Sequence, residues 1–375
     1  MRGQDDQRPP ARIDIVVSAA PRSFAARTGV PVATPPQTSQ PSSVIVETIP
    51  PARIGTRLAH PVLRTTLQQF LRAGAWVADL GPLPAELIFR ATRLSEKPAA
   101  VLGTPRGVRR EPLRFEHFDA EWLWSAPVPD PRVDREAAIL YLHGGAFIAG
   151  GLNSYRRHTA RMAGWSELPV LTVDYRQLPD AHPNESLDDA LTAYRHLLAE
   201  GFPPGQIIVA GDSAGGGLAL RLALTLRELG LPLPVALSVT SPWADFDSTA
   251  RLAHPNARYD AVLPAAGPDM VVRRGITVDG VLDPAWSVVN HDFTGLPPIL
   301  LQVGSREMLL ADALAVAKRA EAAGVALRLQ IRPSAPHTLI HLGAGLLADG
   351  RDAARDAADF HRAMIEPGRS GRNAA

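Results

Sequence analysis

Short runs of β-branched and aliphatic residues alternate with longer amphipathic stretches over most of the chain beyond residue 110. Alternating apolar and polar positions over 111–124 predict an antiparallel hairpin at the edge of a sheet. Beyond the hairpin, predicted strands and helices follow one another, which is typical of a mostly parallel sheet covered by helices on both faces. An irregular segment, 241–292, interrupts this pattern. The predicted strands are 138–142, 170–173, 207–209, 235–240, 299–303 and 327–331, and the predicted helices are 187–199, the stretch after Ser213, 312–323 and 351–364.

The N-terminal part of the chain has a different pattern. Residues 1–50 are rich in proline, serine, threonine and alanine with little periodicity, which predicts a disordered extension. Apolar residues such as Phe70 then recur at helical spacing, which predicts an amphipathic helix over 63–80, and 84–90 predicts a second, short helix. This pattern is compatible both with helices packed on a core and with a cap over an active site.

One stretch of the predicted sheet carries a chemical signature. The β-branched run 207–209 leads directly into 211–215, Gly-Asp-Ser-Ala-Gly, and an apolar helix is predicted to follow. A strand, a G-x-S-x-G turn and a helix in this order predict a nucleophile elbow, whose tight turn tolerates only small neighbours and exposes the serine hydroxyl. Ser213 is therefore the candidate nucleophile.

A second glycine-rich turn lies upstream of the elbow. His143-Gly-Gly-Ala-Phe follows the predicted strand 138–142, and its glycines leave backbone N–H groups free to stabilise an oxyanion. The predicted donors are Gly144 and Gly145, with the N–H of Ala214 as the third. A plain turn from a strand into a loop is the alternative interpretation.

Together, these motifs resemble those of the bacterial hormone-sensitive-lipase-type carboxylesterases. The matching segments are 143–147, 173–180, 187–190, 211–216, 241–243, 295–298 and 302–304. The resemblance covers about residues 85–365, and it implies an α/β-hydrolase fold, an N-terminal helical cap and hydrolysis of short acyl esters without a cofactor. The domain organisation predicted on this basis is an extension (1–50), a helical cap region (51–110), an α/β-hydrolase catalytic domain (111–367) and a disordered tail (368–375).

The general base is expected in the loop after the last strand, since the triad follows the order serine, acid, histidine in such folds. His337 follows the predicted strand 327–331 in Arg-Pro-Ser-Ala-Pro-His, which is similar to the catalytic-histidine loop of the family, and it is the predicted base. His341, four residues further on, is the alternative. The ring of His143 is predicted to be structural.

The acid of the triad departs from the family pattern. The family usually carries an aspartate in a D-x-L-x-D-like pattern after a glycine, whereas here Gly304 is followed by Ser-Arg-Glu-Met-Leu-Leu-Ala-Asp. Aligning the Leu-x-x-Asp tail favours Glu307, whose carboxylate can accept the imidazole Nδ1–H. Asp312 is the alternative, although an acid there also stabilises the start of the next helix. Asp212 is predicted to brace the elbow rather than to take part in catalysis.

Composition and missing motifs exclude several other classes of function. A formal net charge of +1 gives no indication of a nucleic-acid partner. The absence of cysteine excludes thiol catalysis and disulfides, and it fits a cytoplasmic location. No run reaches the roughly 18 apolar residues of a membrane span and no signal-peptide pattern begins the chain, so no integral membrane association is predicted. Neither a P-loop nor an H-E-x-x-H motif occurs, so no nucleotide, metal or other cofactor is predicted.

These features predict a serine carboxylic-ester hydrolase that acts through an acyl-enzyme on short- to medium-chain acyl esters, with Ser213, Glu307 and His337 as the triad. An amidase, a lactonase or a deacetylase would use the same triad, and the elbow does not separate them. A non-catalytic ligand-binding protein on the same scaffold is the alternative from another class, but such proteins typically lose a triad residue. The expected partner is a small-molecule acyl ester, and a homodimer is left open because such families often form dimers.

Overall fold

The computed structural model of the protein describes residues 43–80, 84–94, 96–338 and 345–372. Its centre is a single twisted sheet. The strands are β1 (Val44–Glu47), β2 (Val108–Arg114), β3 (Asp119–Ser125), β4 (Ala138–Leu142), β5 (Val170–Asp174), β6 (Ile207–Asp212), β7 (Ala236–Thr240), β8 (Ile299–Gly304) and β9 (Leu327–Arg332). The nine strands lie in the order β1-β9-β8-β7-β6-β4-β5-β3-β2.

All neighbouring strands from β1 to β5 in this order are parallel, and β3 and β2 add an antiparallel hairpin at one edge. The strand that leads to Ser213, β6, lies near the centre, where Val209 pairs with Leu140 on one side and Leu237 on the other. The predicted mostly parallel sheet with an edge hairpin is thereby confirmed. Since parallel strands in such sheets end at the same edge, residues that follow different strands come together there.

Helices cover both faces of the sheet. They are α1 (Ile54–Thr65), α2 (Leu67–Leu80), α3 (Ala85–Arg93), α4 (Glu96–Ala100), α5 (Leu152–Ser166), α6 (Pro183–Ala199), α7 (Ser213–Glu228), α8 (Thr249–Ala253), α9 (Ala266–Val271), α10 (Leu310–Ala322) and α11 (Ala348–Arg372). Because successive side chains of a strand point to opposite faces, Ile139 packs with Phe360 of α11 while Leu140 packs with Leu218 of α7. Burial on both faces explains why the inner strands are continuously apolar.

The strand β1 corrects the prediction that residues 1–50 are disordered throughout. Val44 pairs in parallel with Leu327 of β9, and the Glu47 carboxylate accepts hydrogen bonds from Arg328 and Gln330, both at 2.5 Å. A four-residue strand next to a proline-rich segment gives little periodicity, and its partner strand lies far along the chain, so the sequence pattern alone did not identify it. Residues 1–42 lie outside the described residues.

The N-terminal helices also differ from the prediction of one helix over 63–80. The first helix begins at Ile54 and ends at Thr65. Thr66 has non-helical dihedral angles (φ −116°, ψ −84°), and the second helix begins at Leu67. Phe70 was predicted to belong to the apolar face, but it is 75% exposed, whereas Ala75 and Ala78 of the same helix are buried. Helical spacing predicted the helix but not the face that it buries.

The C-terminal helix α11 continues to Arg372, and it therefore enters the segment 368–375 for which a disordered tail is predicted. Residues 373–375 lie outside the described part of the chain. The irregular segment predicted over 241–292 contains the short helices α8 and α9 and several single turns of 3₁₀-helix. Within the described residues, no helix is both long enough and apolar enough to cross a membrane.

Candidate active site

The elbow between β6 and α7 places Ser213 at a strained backbone position. Ser213 has a φ of 52°, in the left-handed region that ordinary residues rarely adopt. A Cβ atom on Gly211 would lie 2.4 Å from the carbonyl oxygen of Gly215, and a Cβ atom on Gly215 would lie 2.1 Å from that of Leu142. The turn therefore requires glycine on both sides of the serine, as the G-x-S-x-G pattern predicts.

The structure brings Ser213, His337 and Glu307 into one hydrogen-bonded line. His337 Nε2 lies 3.0 Å from Ser213 Oγ, and His337 Nδ1 lies 2.7 Å from Glu307 Oε2. The three residues follow β6, β8 and β9, whose carboxyl ends meet at one edge of the sheet. All three are buried, with Ser213 the most accessible at 8% exposure. A serine hydroxyl can thus donate its proton to an imidazole that a carboxylate orients.

The carboxylate of Glu307 is fixed by further donors. Its Oε1 accepts the N–H of Gly304 at 2.6 Å and the hydroxyl of Ser241 at 2.8 Å. A Cβ atom on Gly304 would lie 2.7 Å from Glu307 Oε1 and 2.2 Å from the carbonyl oxygen of Ala335, so glycine is required there. These bonds orient the other oxygen, Oε2, towards the histidine.

The pKa of His337 reflects this environment. Burial is the largest single effect and lowers the pKa, but the hydrogen bond and the negative charge of Glu307, together with the charges of Asp260 and Asp212, outweigh it. The pKa of His337 therefore lies above its usual value of 6.5. An imidazole with such a pKa is a good proton acceptor near neutral pH.

Asp312, the alternative acid, lies elsewhere. Its carboxylate forms an ion pair with Arg251 at 3.0 Å and accepts the N–H groups of Ala244 and Asp245, both at 3.0 Å. Both members of the pair are buried, with 1% and 2% exposure of the side chains. The structure thus uses Asp312 to anchor the chain after β7, and brings Glu307 to the histidine. His341, the alternative base, lies outside the described residues.

The oxyanion turn differs from the prediction in one donor. The N–H of Gly144 donates to Asp212 Oδ1 at 3.0 Å, so it is used inside the protein and is not free to bind an oxyanion. The turn itself is closed by the carbonyl of Gly145, which accepts the N–H groups of Ile148 and Ala149, both at 3.0 Å. The motif predicts a turn with free N–H groups. Which of these N–H groups remain free depends on the contact with Asp212, nearly 70 residues away in the sequence.

The backbone N–H groups of Gly145, Ala146 and Ala214, close to the elbow, have no hydrogen-bond acceptor among the described residues. Gly145 and Ala146 have φ values of 122° and 55°, so the turn is held in an unusual conformation. Ala214 lies in the first turn of α7, where N–H groups have no intrahelical partner and favour negative charge. The donors predicted from the sequence did not include Ala146. Its position directly after the two glycines is the feature that could have indicated it.

Asp212 braces the elbow, as predicted. Its buried carboxylate accepts the hydroxyl groups of Tyr141 at 2.7 Å and Tyr155 at 2.9 Å in addition to the N–H of Gly144. Burial next to this carboxylate raises the pKa of both tyrosines well above 10.0, so their hydroxyls remain donors. Asp212 therefore ties β4, α5 and the turn that begins at His143 to the residue before Ser213.

His143 is structural, also as predicted. Its Nδ1 lies 2.7 Å from the carbonyl oxygen of Gly144, and its ring stacks on Tyr175 at a centroid distance of 4.4 Å. The hydroxyl of Tyr175 donates to the carbonyl oxygen of His143 at 2.6 Å. The side chain is fully buried and its contacts hold the backbone of the turn rather than the nucleophile.

Comparisons with known proteins agree with this fold. A family model described as the alpha/beta hydrolase fold matches residues 139–341. The carboxylesterase/phospholipase LipF of Mycobacterium tuberculosis is 34% identical over 315 residues, which cover 82% of each chain. An acetyl-hydrolase of Streptomyces hygroscopicus is 34% identical over 267 residues, which cover 71% of this chain and 86% of the relative.

Solved structures give the same result. An esterase from the bacterial hormone-sensitive lipase family matches with a TM-score of 0.67 and 31% identity, over 80% of this chain and 98% of that one. The esterase EstE5, in a crystal soaked with p-nitrophenyl butyrate, matches with a TM-score of 0.70 and 27% identity, over 84% of this chain and all of that one. The predicted resemblance and fold are confirmed, and the chain belongs to the hormone-sensitive-lipase-type carboxylesterases of the α/β-hydrolase family, as a carboxylic ester hydrolase.

Proposed function

We propose that this enzyme cleaves acyl esters through a covalent intermediate on Ser213. The hydrogen-bonded line from Ser213 through His337 to Glu307, with distances of 3.0 and 2.7 Å, carries the proposal. His337 Nε2 accepts the hydroxyl proton while Ser213 Oγ bonds to the ester carbonyl carbon. The imidazolium then donates that proton to the leaving alcohol as the carbon–oxygen bond breaks, which leaves the acyl group on Ser213.

Deacylation reverses the roles of the same groups. His337 accepts a proton from water, the hydroxide oxygen bonds to the acyl carbon, and the imidazolium returns the proton to Ser213 Oγ as the acid leaves. Glu307 stays ionised throughout and holds the imidazole in the tautomer that presents Nε2 to the serine. Its two bonds from Gly304 and Ser241 support this role, because they keep the carboxylate from turning away.

We assign the oxyanion to the N–H groups of Gly145, Ala146 and Ala214. All three lack an acceptor within the described chain, whereas the N–H of Gly144 is taken by Asp212. Rigid donors aimed at the developing negative charge stabilise the tetrahedral intermediate without reorganisation. The bond from Asp212 to Gly144 contributes indirectly, since it fixes the turn that carries the first two donors.

The helices within 51–110 are proposed to form a cap over the catalytic domain. The hydroxyl of Thr92 donates to the carbonyl oxygen of Ile148, just beyond the oxyanion turn. Gln68 donates to the carbonyl oxygen of Asp260 at 2.6 Å. Helices anchored next to the catalytic loops are well placed to shape the substrate pocket.

Short- to medium-chain acyl esters are the proposed substrates. Buried aromatic rings of Phe147, Trp243 and Phe246 pack on one another beside the elbow, with centroid distances of 4.9 to 6.2 Å. They line an apolar cavity of about 20 Å³ together with Gly217 and Leu218 of α7, the helix that begins at Ser213. A named acetyl-hydrolase among the relatives supports the same class.

We expect p-nitrophenyl acetate and butyrate to be hydrolysed with a kcat/KM at least about tenfold higher than that for the laurate ester. The leaving group is the same in all three, so the ratio reports the fit of the acyl chain rather than chemical reactivity. Initial rates measured below the solubility limit of each ester test this, with the Ser213→Ala variant as the blank. A preference for laurate would contradict the assigned substrate class.

The pH profile should report the protonation of His337. We expect kcat/KM for p-nitrophenyl acetate to fall as the pH is lowered through a pKa above 6.5, because a protonated imidazole cannot accept the serine proton. In the Glu307→Gln variant no carboxylate raises the pKa of His337, so the residual activity should extend to lower pH. An acid limb centred below 6.5 in the wild type would argue against His337 as the base.

A further inference from the structure

Two side chains outside the triad hold the backbone of the loop that carries Glu307. Asn256 Nδ2 donates to the carbonyl oxygens of Ser305 and Glu307, both at 2.9 Å. The carboxylate of Asp260 accepts the N–H of Met308 through Oδ2 at 2.8 Å. The peptide bond that follows the acid is therefore fixed at its carbonyl oxygen and at its N–H group by the segment between α8 and α9.

Asp260 is itself held rigidly. It is fully buried, and its Oδ1 accepts the N–H groups of Val262 and Leu263 at 2.8 and 2.9 Å. Gln68 of α2, which is 2% exposed, donates from Nε2 to the carbonyl oxygen of Asp260 at 2.6 Å. A continuous set of buried hydrogen bonds thus runs from the N-terminal helical region through Asp260 to the loop of Glu307.

We propose that Asp260 is a positioning residue of the active site, which fixes the Glu307 loop against α2 and thereby aligns Glu307 with His337. The inference rests on the acyl-enzyme mechanism proposed above and adds a residue to it. The bonds from Gly304 and Ser241 orient the carboxylate, but they do not fix the backbone on the far side of the acid. Asp260 and Asn256 fix that backbone, and misalignment by about 1 Å in an active site can lower a rate about 10²-fold.

Asp260 also brings a buried negative charge near the triad. The charged groups that act on His337 are Glu307, Asp260 and Asp212, and each of them favours the protonated imidazole. Asp260 also acts on His60: burial lowers the pKa of His60 most and Arg306 lowers it further, whereas the charge of Asp260 raises it. Neutralising Asp260 removes one of the charges that raise the pKa of His337, so the base stays neutral, and active, to lower pH.

The test is the Asp260→Asn variant of the full chain, assayed with p-nitrophenyl butyrate over the range in which His337 titrates. Asparagine preserves the shape and can still accept from Val262 and Leu263, but it lacks the charge and the second acceptor for Met308. We expect kcat to fall about ten- to a hundredfold with KM within about twofold of the wild type. The acid limb of kcat/KM should move to lower pH, because one of the negative charges that raise the pKa of His337 is lost.

Two further variants separate alignment from charge and from general destabilisation. Asn256→Ala removes the two donors to the Glu307 loop but no charge, so kcat should fall about three- to tenfold with the acid limb unmoved. Asp312→Asn neutralises another buried carboxylate, whose partner is Arg251 rather than the Glu307 loop. It should lower the melting temperature while the acid limb stays in place.

Several outcomes would overturn the proposal. A folded Asp260→Asn variant with wild-type kcat would do so, and so would a loss confined to a higher KM, because Asp260 would then not align Glu307 with His337. An unmoved acid limb would refute the effect of its charge on His337. If that variant does not fold, a wild-type kcat in Asn256→Ala decides against the proposal in its place. An inactive wild type, or full activity in Ser213→Ala, would instead refute the mechanism itself, so the two failures are distinguishable.

Discussion

Replacement of Ser213 by alanine is expected to lower kcat/KM for p-nitrophenyl butyrate by at least about 10⁴-fold. The variant lacks the Oγ atom that lies 3.0 Å from His337 Nε2 and that would bond to the acyl carbon. Steady-state kinetics measure the loss. A serine-directed phosphonate should label the wild type at one site, identified by mass spectrometry as Ser213, and should leave the variant unlabelled.

Glycine at the same position provides a matched control. Both variants lack the nucleophile, but only glycine adopts a φ of 52° without strain. We expect both to be inactive and the free energy of unfolding of Ser213→Gly to exceed that of Ser213→Ala by about 1 kcal/mol, as measured by urea denaturation. Appreciable turnover by either variant would show that another group is the nucleophile.

The second large effect separates the two candidate acids. Glu307→Ala should lower kcat about 10²- to 10⁴-fold, because His337 loses the carboxylate that orients its ring and raises its pKa. Asp312→Ala leaves Arg251 buried without its partner, so it should lower the free energy of unfolding by about 3–5 kcal/mol. The surviving folded protein should keep kcat within about tenfold of the wild type. Kinetics and urea denaturation on both variants provide the two measurements.

The opposite pattern is equally informative. If Asp312→Ala is folded but inactive while Glu307→Ala is active, the roles assigned here are exchanged. If both variants keep nearly full activity, His337 does not depend on a carboxylate and the triad is incomplete. Glu307→Asp serves as the conservative control, since it keeps the charge but shortens the reach to His337 by one methylene.

Those parts of the fold and site that depend on local chemistry were predictable. The sequence around Ser213 requires glycines on both sides because the turn leaves no space for a Cβ atom, and such a constraint is visible in five residues. Apolar runs such as 207–209 predicted the inner strands, since burial on both faces admits few polar side chains. The confirmed family resemblance rests on these same segments.

Features that depend on distant partners were not predictable. The N–H of Gly144 is unavailable because Asp212 accepts it, and no pattern within the His-Gly-Gly turn indicates that contact. Phe70 fits the apolar spacing of its helix yet lies 75% exposed, because periodicity does not say which neighbour a helix meets. Asp260 carries no motif at all, and its relation to Glu307 depends on contacts made in the folded protein, such as the hydrogen bond from Met308.

The strand β1 has a consequence for association between molecules. A strand at the edge of a sheet offers unpaired N–H and C=O groups to other chains, and proteins protect such edges with charges, proline or a covering segment. At one edge β2 carries Pro112 and several charged residues, whereas at the other edge β1 covers β9, the strand that leads to His337. Val44–Glu47 is therefore itself the edge strand on this side; it is only four residues long and ends in a charged residue, and both features limit edge-to-edge pairing with another chain.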